Sequence, residues 1–452
     1  MKRKTFMLIV VWFLLVSFVG TAEAIDLTFT HWGGNLEIDA IKKMCEKYTK
    51  EHPGVNIKPL FVPWDQYVQK LSAMISGGTP PQVGYVMETE ALEWAEKGVL
   101  LDILPLIEKE SDPSVKLKNR LRSIWWLYGG GKKTLGTSVA AEVMITWYNK
   151  EIFDKEGVPY PPTDPNKWTW NQFVETAVKL TVDKNGKHPN EPGFDPTKIE
   201  RFGVTFGNWY MVWFPFIWSN GGDLCDESGK IAKINKPEAV DALQNLCDLI
   251  YKYHVAPTPA QSSALPSYSI ALQTGRVAMA IDGQWTLQEL GQLEKQGKLK
   301  LGVAPLPKFK RPVTAVIGTP IGIYADAVKD SDTLKAAWEF YKWITNSESA
   351  IDLVRCGLWM PIQTWWYTDP KYIQKWLDPE IHPSEYKAAV ISYAYRYAKP
   401  APTYYLKNFA QINDIMYQEL SNAFNGKVTV QEACNRIAEK IKPLLVGRYD
   451  KP

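Results

Sequence analysis

The stretch GRVAMAIDGQW, residues 275–285, combines an apolar run with a polar end. The run from Val277 to Ile281 predicts a strand, and Asp282 and Gly283 predict a turn that displays Trp285 at its end. In α/β folds, ligands lie beyond the carboxyl ends of strands. We therefore expect Trp285 to face a ligand, and the alternative is a tryptophan of the hydrophobic core.

Strand and helix patterns alternate along the rest of the chain. IDLTFTHW, VNIKPLFV and PQVGYV read as strands, with apolar residues at helical spacing between them. From Gly136 the alternation restarts with the strand AEVMITWYN and a helix from Thr169 to Leu180. Such alternation is typical of parallel βαβ units, and its two series predict two α/β lobes.

Later segments predict further helices and their boundaries. Pro237 opens one helix, and others are expected at residues 333–355, 408–424 and 430–445. Thr169 with Gln172, and Thr429 with Glu432, have the spacing of capping boxes.

Residues 1–24 have the pattern of a secretory signal peptide. Lys2, Arg3 and Lys4 precede an apolar run, and an A-x-A cleavage site follows. The apolar run is shorter than the roughly 20 residues of a spanning helix, although an uncleaved N-terminal anchor stays open. Because Cys45 is the first cysteine and lies well beyond the cleavage site, a cysteine-acylated lipoprotein is disfavoured. We expect a periplasmic protein.

The charge balance argues against nucleic acid as a partner. The chain has 52 basic and 49 acidic residues, and removing Lys2, Arg3, Lys4 and Glu23 leaves 49 and 48. A phosphate-binding protein is expected to carry a basic excess or patch. An uncharged ligand, or a local charged site, is expected instead.

Motifs for catalysis or metal binding are incomplete in this sequence. GTSVA at 136–140 lacks the second glycine of a nucleophile elbow, and GGGKKT at 129–134 is not a phosphate-binding loop. The histidines are scattered, and the five cysteines form no C-x-x-C pair. No catalytic residue, metal site or cofactor is predicted. Cys225 and Cys247 could form a disulfide, but free, buried cysteines are expected.

The sequence resembles the extracellular solute-binding proteins of sugar ABC transporters, the family that includes maltose-binding protein. The resemblance rests on an ordered set of segments that spans nearly all of the mature chain. They are THWGGNLE, YVQKLSAMISGGTPPQV, GTSVAAEVMITWYNKEIFDKEGVPYPP, WTWNQFVETAVKLT, SNGGDLCDESGKIAKINKPEAVDAL, GRVAMAIDGQW and GVAPLPKFKRPVTAVIGTPIGI.

This resemblance implies a two-lobe α/β periplasmic binding protein fold of type II, with several hinge crossovers and a ligand cleft between the lobes. Crossings are expected near Ala140, Gly318 and residue 364. The N-terminal lobe would comprise residues 25–140 and 319–363, and the C-terminal lobe residues 141–318 and 364–452. The implied function is to bind a carbohydrate, expected to be an oligosaccharide, and deliver it to an ABC permease. A monomer is expected.

The resemblance also implies ligand-binding residues. The acid of AEV, Glu142, would contact sugar hydroxyls at the first hinge, and Trp285 would stack on the sugar. Asp282 beside it is a further candidate. The remaining candidates follow the first strand or lie in aromatic segments: His31, Trp32, Asn35, Trp64, Trp209, Trp218, Trp359 and Tyr404.

Two alternatives stay open at this point. A receptor for a charged solute, such as a polyamine, a phosphorylated polyol or a metal chelate, would need a local cluster of acids or arginines. A secreted carbohydrate-active enzyme would need two carboxyls that meet in space.

Overall fold

The computed structural model describes residues 24–451. Except for its last residue, the predicted signal peptide lies outside this range. Within residues 24–451, every helix is too short or too polar to cross a membrane.

Thirteen strands form within the described residues. In chain order they are β1 (Ile25–His31), β2 (Val55–Phe61), β3 (Val83–Tyr85), β4 (Trp125–Tyr128), β5 (Lys133–Thr137), β6 (Glu142–Asn149), β7 (Val182–Asp183), β8 (Ile199–Phe206), β9 (Val277–Gly283), β10 (Leu301–Ala304), β11 (Thr314–Ile317), β12 (Ile321–Ile323) and β13 (Ala398–Pro400).

Eighteen α-helices accompany them in the same range. They are α1 (Asn35–Glu51), α2 (Tyr67–Ser76), α3 (Ala91–Glu96), α4 (Leu104–Lys109), α5 (Lys150–Glu156), α6 (Trp170–Leu180), α7 (Tyr210–Ser219), α8 (Pro237–Tyr251), α9 (Pro259–Ser263), α10 (Tyr268–Gln273), α11 (Leu287–Lys295), α12 (Ser331–Ile344), α13 (Ile351–Arg355), α14 (Trp365–Thr368), α15 (Pro370–Trp376), α16 (Ser392–Tyr397), α17 (Phe409–Phe424) and α18 (Val430–Ile441).

The N-terminal lobe is built on a four-stranded sheet with the order β12-β3-β1-β2. β1 pairs in parallel with β2 and β3, which confirms the predicted βαβ arrangement there. β12 joins from far along the chain and pairs antiparallel with β3. Leu27 and Phe29 on one face of β1 are fully buried, and α1 and α12 meet there, since Phe340 of α12 packs edge-on against both Phe29 and Tyr48.

The C-terminal lobe is built on a mixed sheet with the order β13-β11-β6-β9-β8-β7, and β10 also pairs with β6. All eight residues of β6 are buried, which explains its nearly continuous apolar sequence. β8 and β9 pair in parallel, but β6 runs antiparallel to β9. The purely parallel arrangement expected from the second alternation is therefore wrong for β6.

The chain crosses between the sheets where β5 leads into β6 and where β11 leads into β12. Val139 N–H donates to the Thr319 carbonyl at 2.9 Å, so the two crossings lie side by side. Ala141 N–H donates to the Met360 carbonyl at 3.1 Å, which brings a third segment to the same place. The lobe limits expected from the sequence stay a prediction.

Capping residues define several helix ends as predicted. Thr169 accepts from Gln172 N–H at 3.3 Å and its own N–H donates to Gln172 at 3.0 Å, and Thr429 with Glu432 forms the same reciprocal pair. The expected helix at 333–355 is wrong, because it divides into α12 and α13. The division follows Thr345, whose carbonyl accepts from the Gln363 side chain at 2.8 Å.

The five cysteines all lie within the described residues and all are free. Cys45, Cys225, Cys247 and Cys434 are buried, and Cys356 is half-buried. The open alternative of a bridge between Cys225 and Cys247 is absent from this structure.

Gly318 is required by the close approach of two crossing segments. A Cβ on Gly318 would lie 1.9 Å from the Ala140 carbonyl oxygen, and backbone cannot move away as a flexible side chain can. We expect Gly318→Ala to lower the free energy of unfolding by about 2 kcal/mol or more, measured by urea denaturation. Gly34→Ala is the control, because nothing lies within 4 Å of the added Cβ. Equal stability of the two variants would contradict the tight crossing.

Candidate ligand-binding site

A cavity of about 980 Å³ lies between the two sheets. It is bordered by residues that follow the carboxyl ends of β1, β3, β8 and β9, and by the first residue of β6. Because β6 runs antiparallel to β9, its amino end lies at the same edge of the sheet as the end of β9. The edge that the strand topology predicts for a ligand is therefore the edge that opens into the cavity.

On the N-terminal side, aromatic residues form part of the wall. The Trp32 ring follows β1 and packs edge-on against Tyr67 and Tyr85, at centroid distances of 4.8 and 4.9 Å. Trp64 lies in a short 3-10 turn before α2 and is 63 % exposed. Trp32 is thus held rigidly by its neighbours, while Trp64 presents most of its indole to solvent.

On the C-terminal side, two tryptophans lie over glycines. The Trp285 ring covers Gly283, where a Cβ would approach the ring to 2.1 Å, and Trp209 covers Gly207 at 2.9 Å. The two indoles meet edge to face with centroids 6.2 Å apart. Each tryptophan is half-buried, so each keeps ring surface for a ligand while its orientation is set by the other.

Helix α17 completes this side of the cavity. Ala410, Asn413, Asp414 and Tyr417 lie one turn apart on the face that lines it. Tyr417 is 53 % exposed, so its ring is available to a ligand.

The charged residues of the cavity wall are all acidic. Six lining residues carry a carboxyl group, and among the described residues that line the cavity none is Lys, Arg or His. The six are Glu37, Asp65, Glu88, Glu90, Glu142 and Asp414. None of them takes part in an ion pair within residues 24–451.

Burial makes several of these carboxyls hard to ionise. It raises the pKa of Glu37 to about 8 and that of Glu88 to about 7, from ordinary values near 4.5. Burial also holds the pKa of Glu142 well above its usual range, and repulsion from Glu37 and Glu88 adds to this shift. The free cavity therefore retains protons that an ordinary set of glutamates would have lost by neutral pH.

Five of the residues predicted from the sequence line the cavity. Trp32 and Trp64 lie on its N-terminal side, and Glu142, Trp209 and Trp285 lie on its C-terminal side. The structure thus brings these five together, and their role as ligand contacts stays a prediction.

The other six predicted residues do not line the cavity. His31 is buried with its Nδ1 bonded to the Trp32 carbonyl, and Trp218 is fully buried with its Nε1–H donating to Asp223. Asp282 uses both oxygens within its own turn, on Gly283 N–H and the Thr286 hydroxyl. The remaining three, an exposed one and two buried ones, are Asn35, Trp359 and Tyr404.

Several lining residues were missed by sequence reasoning. Glu88 and Glu90 follow β3, so the rule that ligands lie beyond strand ends could have found them. Glu37 lies in the first turn of α1, where an acid also has an ordinary role beside the helix N-terminus. Asp414 and Tyr417 lie on α17, far along the chain, and no local pattern marks them.

Comparison with protein families identifies the class of this protein. The model of the bacterial extracellular solute-binding protein family matches residues 34–351, which is more than two thirds of the chain. The chain belongs to this family.

Two curated relatives show the range of ligands among similar proteins. The sn-glycerol-3-phosphate-binding periplasmic protein UgpB of Pectobacterium atrosepticum is 25 % identical, over 96 % of this chain and 94 % of its own. The arabinooligosaccharide-binding protein of Halalkalibacterium halodurans is 27 % identical, over 64 % of this chain and 60 % of its own.

Solved structures show the same two-lobe fold. An ABC substrate-binding protein from Listeria monocytogenes in complex with cycloalternan superposes with a TM-score of 0.77 at 24 % identity, covering 93 % of this chain and 99 % of its own. Maltose-bound MalE3 of T. maritima gives 0.74 at 21 % identity, covering 93 % and 100 %. The predicted fold class is confirmed.

The raised carboxyl pKa values predict how stability depends on pH in the ligand-free protein. At neutral pH the folded state binds more protons than the unfolded chain. The contribution of these carboxyls to the free energy of unfolding is therefore greatest below about pH 4.5, and it is lost as the pH rises through their folded pKa values. We expect the melting temperature to fall between pH 6.5 and 8.0, a window above the titration of the buried histidines.

Glu142→Gln should make this fall shallower, because it removes one carboxyl and its repulsion of Glu37 and Glu88. Glu348→Gln, outside the cavity and paired with Lys375, is the control. Identical slopes for both variants and the original protein would contradict the assignment of the pH dependence to the cavity.

Proposed function

We propose that this protein is the carbohydrate receptor of an ABC importer, which holds an oligosaccharide between its lobes and delivers it to the membrane permease. The observation that carries the proposal is the presence of exposed aromatic rings on both walls of one cavity. Trp64 lies on one side, and Trp209, Trp285 and Tyr417 lie on the other. Flat aromatic faces match the C–H faces of sugar rings, and neighbouring carboxyls can accept hydrogen bonds from sugar hydroxyls.

The size of the cavity supports a ligand of more than one ring. Its volume of about 980 Å³ is at the upper end of the range for small-molecule sites, roughly 300–1,000 Å³. Two or three stacked rings with several charge-assisted hydrogen bonds can reach about −8 kcal/mol, which corresponds to about micromolar affinity. Such affinity suits a receptor that must also release its ligand.

The lobes would close on the ligand as a hinge. The crossings near Ala140 and Gly318 are the bending points of this proposal, since they connect the two sheets beside the cavity. Contacts with both walls would favour the closed state, which the permease could then distinguish from the free receptor. We infer a periplasmic location and a monomeric receptor from the same family resemblance.

A phosphorylated ligand is disfavoured by the charge of the cavity. Phosphate recognition uses arginine, lysine or a helix N-terminus. The starts of α1 and α7 line the cavity, but the described lining residues contain six acids and no base, and the acids would repel a phosphate. The glycerol phosphate of the UgpB relatives is therefore not carried over to this chain. An organic cation is the second candidate, because the same acids would attract it.

The first experiment is a thermal-shift and tryptophan-fluorescence screen of the mature protein against mono- and oligosaccharides, polyamines and phosphorylated polyols. A ligand that binds only the folded state raises the melting temperature. We expect a rise with an oligosaccharide and none with a phosphorylated polyol. A rise with the phosphorylated polyol alone would overturn the proposal.

Trp285→Ala should weaken carbohydrate binding by well over tenfold, because it removes the ring that stacks on the sugar. Titration calorimetry measures the change, and circular dichroism checks that the variant stays folded. Trp365→Ala is the matched control, since Trp365 is also half-buried but lies outside the cavity lining. If the Trp285 variant binds the carbohydrate with unchanged affinity, the proposal that Trp285 stacks on the sugar is wrong.

A further inference from the structure

The aromatic rings of the cavity explain how a sugar could bind there, but they do not explain why the cavity wall is acidic. A neutral oligosaccharide needs a few hydrogen-bonding groups, and these can be amides or hydroxyls as well as acids. Here six carboxyls face one space, and the described lining residues supply no positive charge against them. Like charges gathered in this way repel one another, so the arrangement destabilises the free protein.

Glu142 is the most informative of the six. It is only 9 % exposed, at the first position of β6, and it borders the cavity. No other residue within 24–451 donates a hydrogen bond to its carboxyl or pairs with it. A buried, unpartnered carboxyl is costly, and most proteins pair such a group or replace it. A ligand bound in the cavity could therefore supply the hydrogen-bond donor or cation that Glu142 lacks within the described chain.

Glu37 and Glu88 share this property. Both border the cavity, both lie close enough to raise the pKa of Glu142 by repulsion, and neither accepts a hydrogen bond from another described residue. Three carboxyls from three different elements thus border the same cavity: the first turn of α1, the segment after β3 and the start of β6.

The aromatic residues beside this cluster suit a cation as well as a sugar face. Tyr210 also lines the cavity, and its pKa is raised by burial first and then by repulsion from Glu88 and Glu142 among its neighbours. Trp209 and Trp285 lie on the same wall. The faces of tyrosine and tryptophan attract ammonium groups within about 6 Å, in addition to the attraction from carboxylates.

We propose that the ligand is a carbohydrate that carries a protonated amine, and that its ammonium group pairs with Glu142, beside Glu37 and Glu88, while its ring stacks on Trp285. This inference rests on the proposed function, because it adds a charge to the carbohydrate of that proposal. An amino sugar would contact both the carboxyls, through its ammonium group, and the aromatic rings, through its sugar ring. A neutral sugar would donate hydrogen bonds to the carboxyls without offsetting their charge, and a polyamine would leave the large aromatic faces without a ring.

A bare metal ion is a weaker match to the same cluster. Within residues 24–451, no group of three or more His, Cys, Asp or Glu side chains is arranged to hold one. A metal ion would also leave the indole faces unused.

The test is titration calorimetry with sugars that differ only at one substituent. Di- to tetrasaccharides of the gluco and galacto series, in α and β linkages, are compared as the hydroxyl, N-acetylamino and free amino forms. Spermidine serves as an amine without a ring, and CaCl₂ as a cation without an amine. We expect the free amino form to bind at least tenfold more tightly than the other two forms of the same sugar.

Glu142→Gln tests the location of the ammonium group. Glutamine keeps the shape of the side chain and removes its charge, so the affinity for the amino form should fall at least tenfold more than the affinity for the hydroxyl form. Glu88→Gln should act in the same direction and provides a second variant if the first is poorly folded. Glu348→Gln, outside the cavity and paired with Lys375, should leave the preference unchanged.

Proton release gives an independent readout of the same contact. The carboxyls that face the ammonium are Glu37 on α1, Glu88 and Glu90 after β3, Asp65 before α2, Glu142 on β6 and Asp414 on α17, with the phenol of Tyr210 beside them. The raised pKa values of Glu37 and Glu88 mean that part of this cluster is protonated at pH 6.5 before binding. An ammonium should expel these protons, so the binding enthalpy should change with the ionisation enthalpy of the buffer.

The possible results separate this inference from the function on which it rests. Tighter binding of amino sugars, lost in the Glu142 variant, supports both. Equal or tighter binding of neutral forms overturns the amine inference and leaves the carbohydrate receptor intact. Binding of spermidine or calcium alone, or of no member of the panel, contradicts both.

Discussion

The packing of the chain crossings between the two sheets is the constraint on which the site depends. Gly318 lies so close to the Ala140 carbonyl that no side chain fits, and the Ser138 hydroxyl donates to the Gly318 carbonyl at 2.6 Å. Tyr404 closes the same region from behind, bonded to Ser138 and stacked on Trp126 at 3.9 Å. The two sheets are therefore connected through these closely packed crossing segments. The position of one cavity wall relative to the other depends on this packing.

The cavity joins two kinds of surface that usually have opposite preferences. Indole and phenol rings favour an apolar partner, while carboxyls favour water or a cation. Glu142 shows how the two are combined, because it belongs to a strand of the larger sheet that is buried at every position, and it also borders the cavity. The backbone is held by pairing with β9 and β11, so the carboxyl cannot withdraw to solvent to lower its electrostatic cost.

Local patterns predicted the elements of this fold well and their tertiary pairing less well. The strands of the N-terminal lobe and the helix starts at Thr169 and Thr429 depend on residues close in sequence, and these predictions are confirmed. The helix expected at 333–355 is interrupted near Thr345 by hydrogen bonds from Gln363 and Arg120, which lie on other segments. A helical pattern contains no record of such contacts, so the break was not predictable from it.

The α/β class, the family resemblance and the abundance of aromatic residues are all readable from the amino-acid sequence, because strand periodicity, caps and the motif ending at Trp285 are local properties of the chain. Which of the aromatic residues reach the cavity depends on contacts between distant segments. Trp209 does so and Trp218 does not, although they lie on the same helical segment, because only the start of α7 meets the edge beside β9. The acidic cluster is also a tertiary property, since Glu37, Glu88, Glu142 and Asp414 are dispersed in sequence and become neighbours only when the sheets are joined.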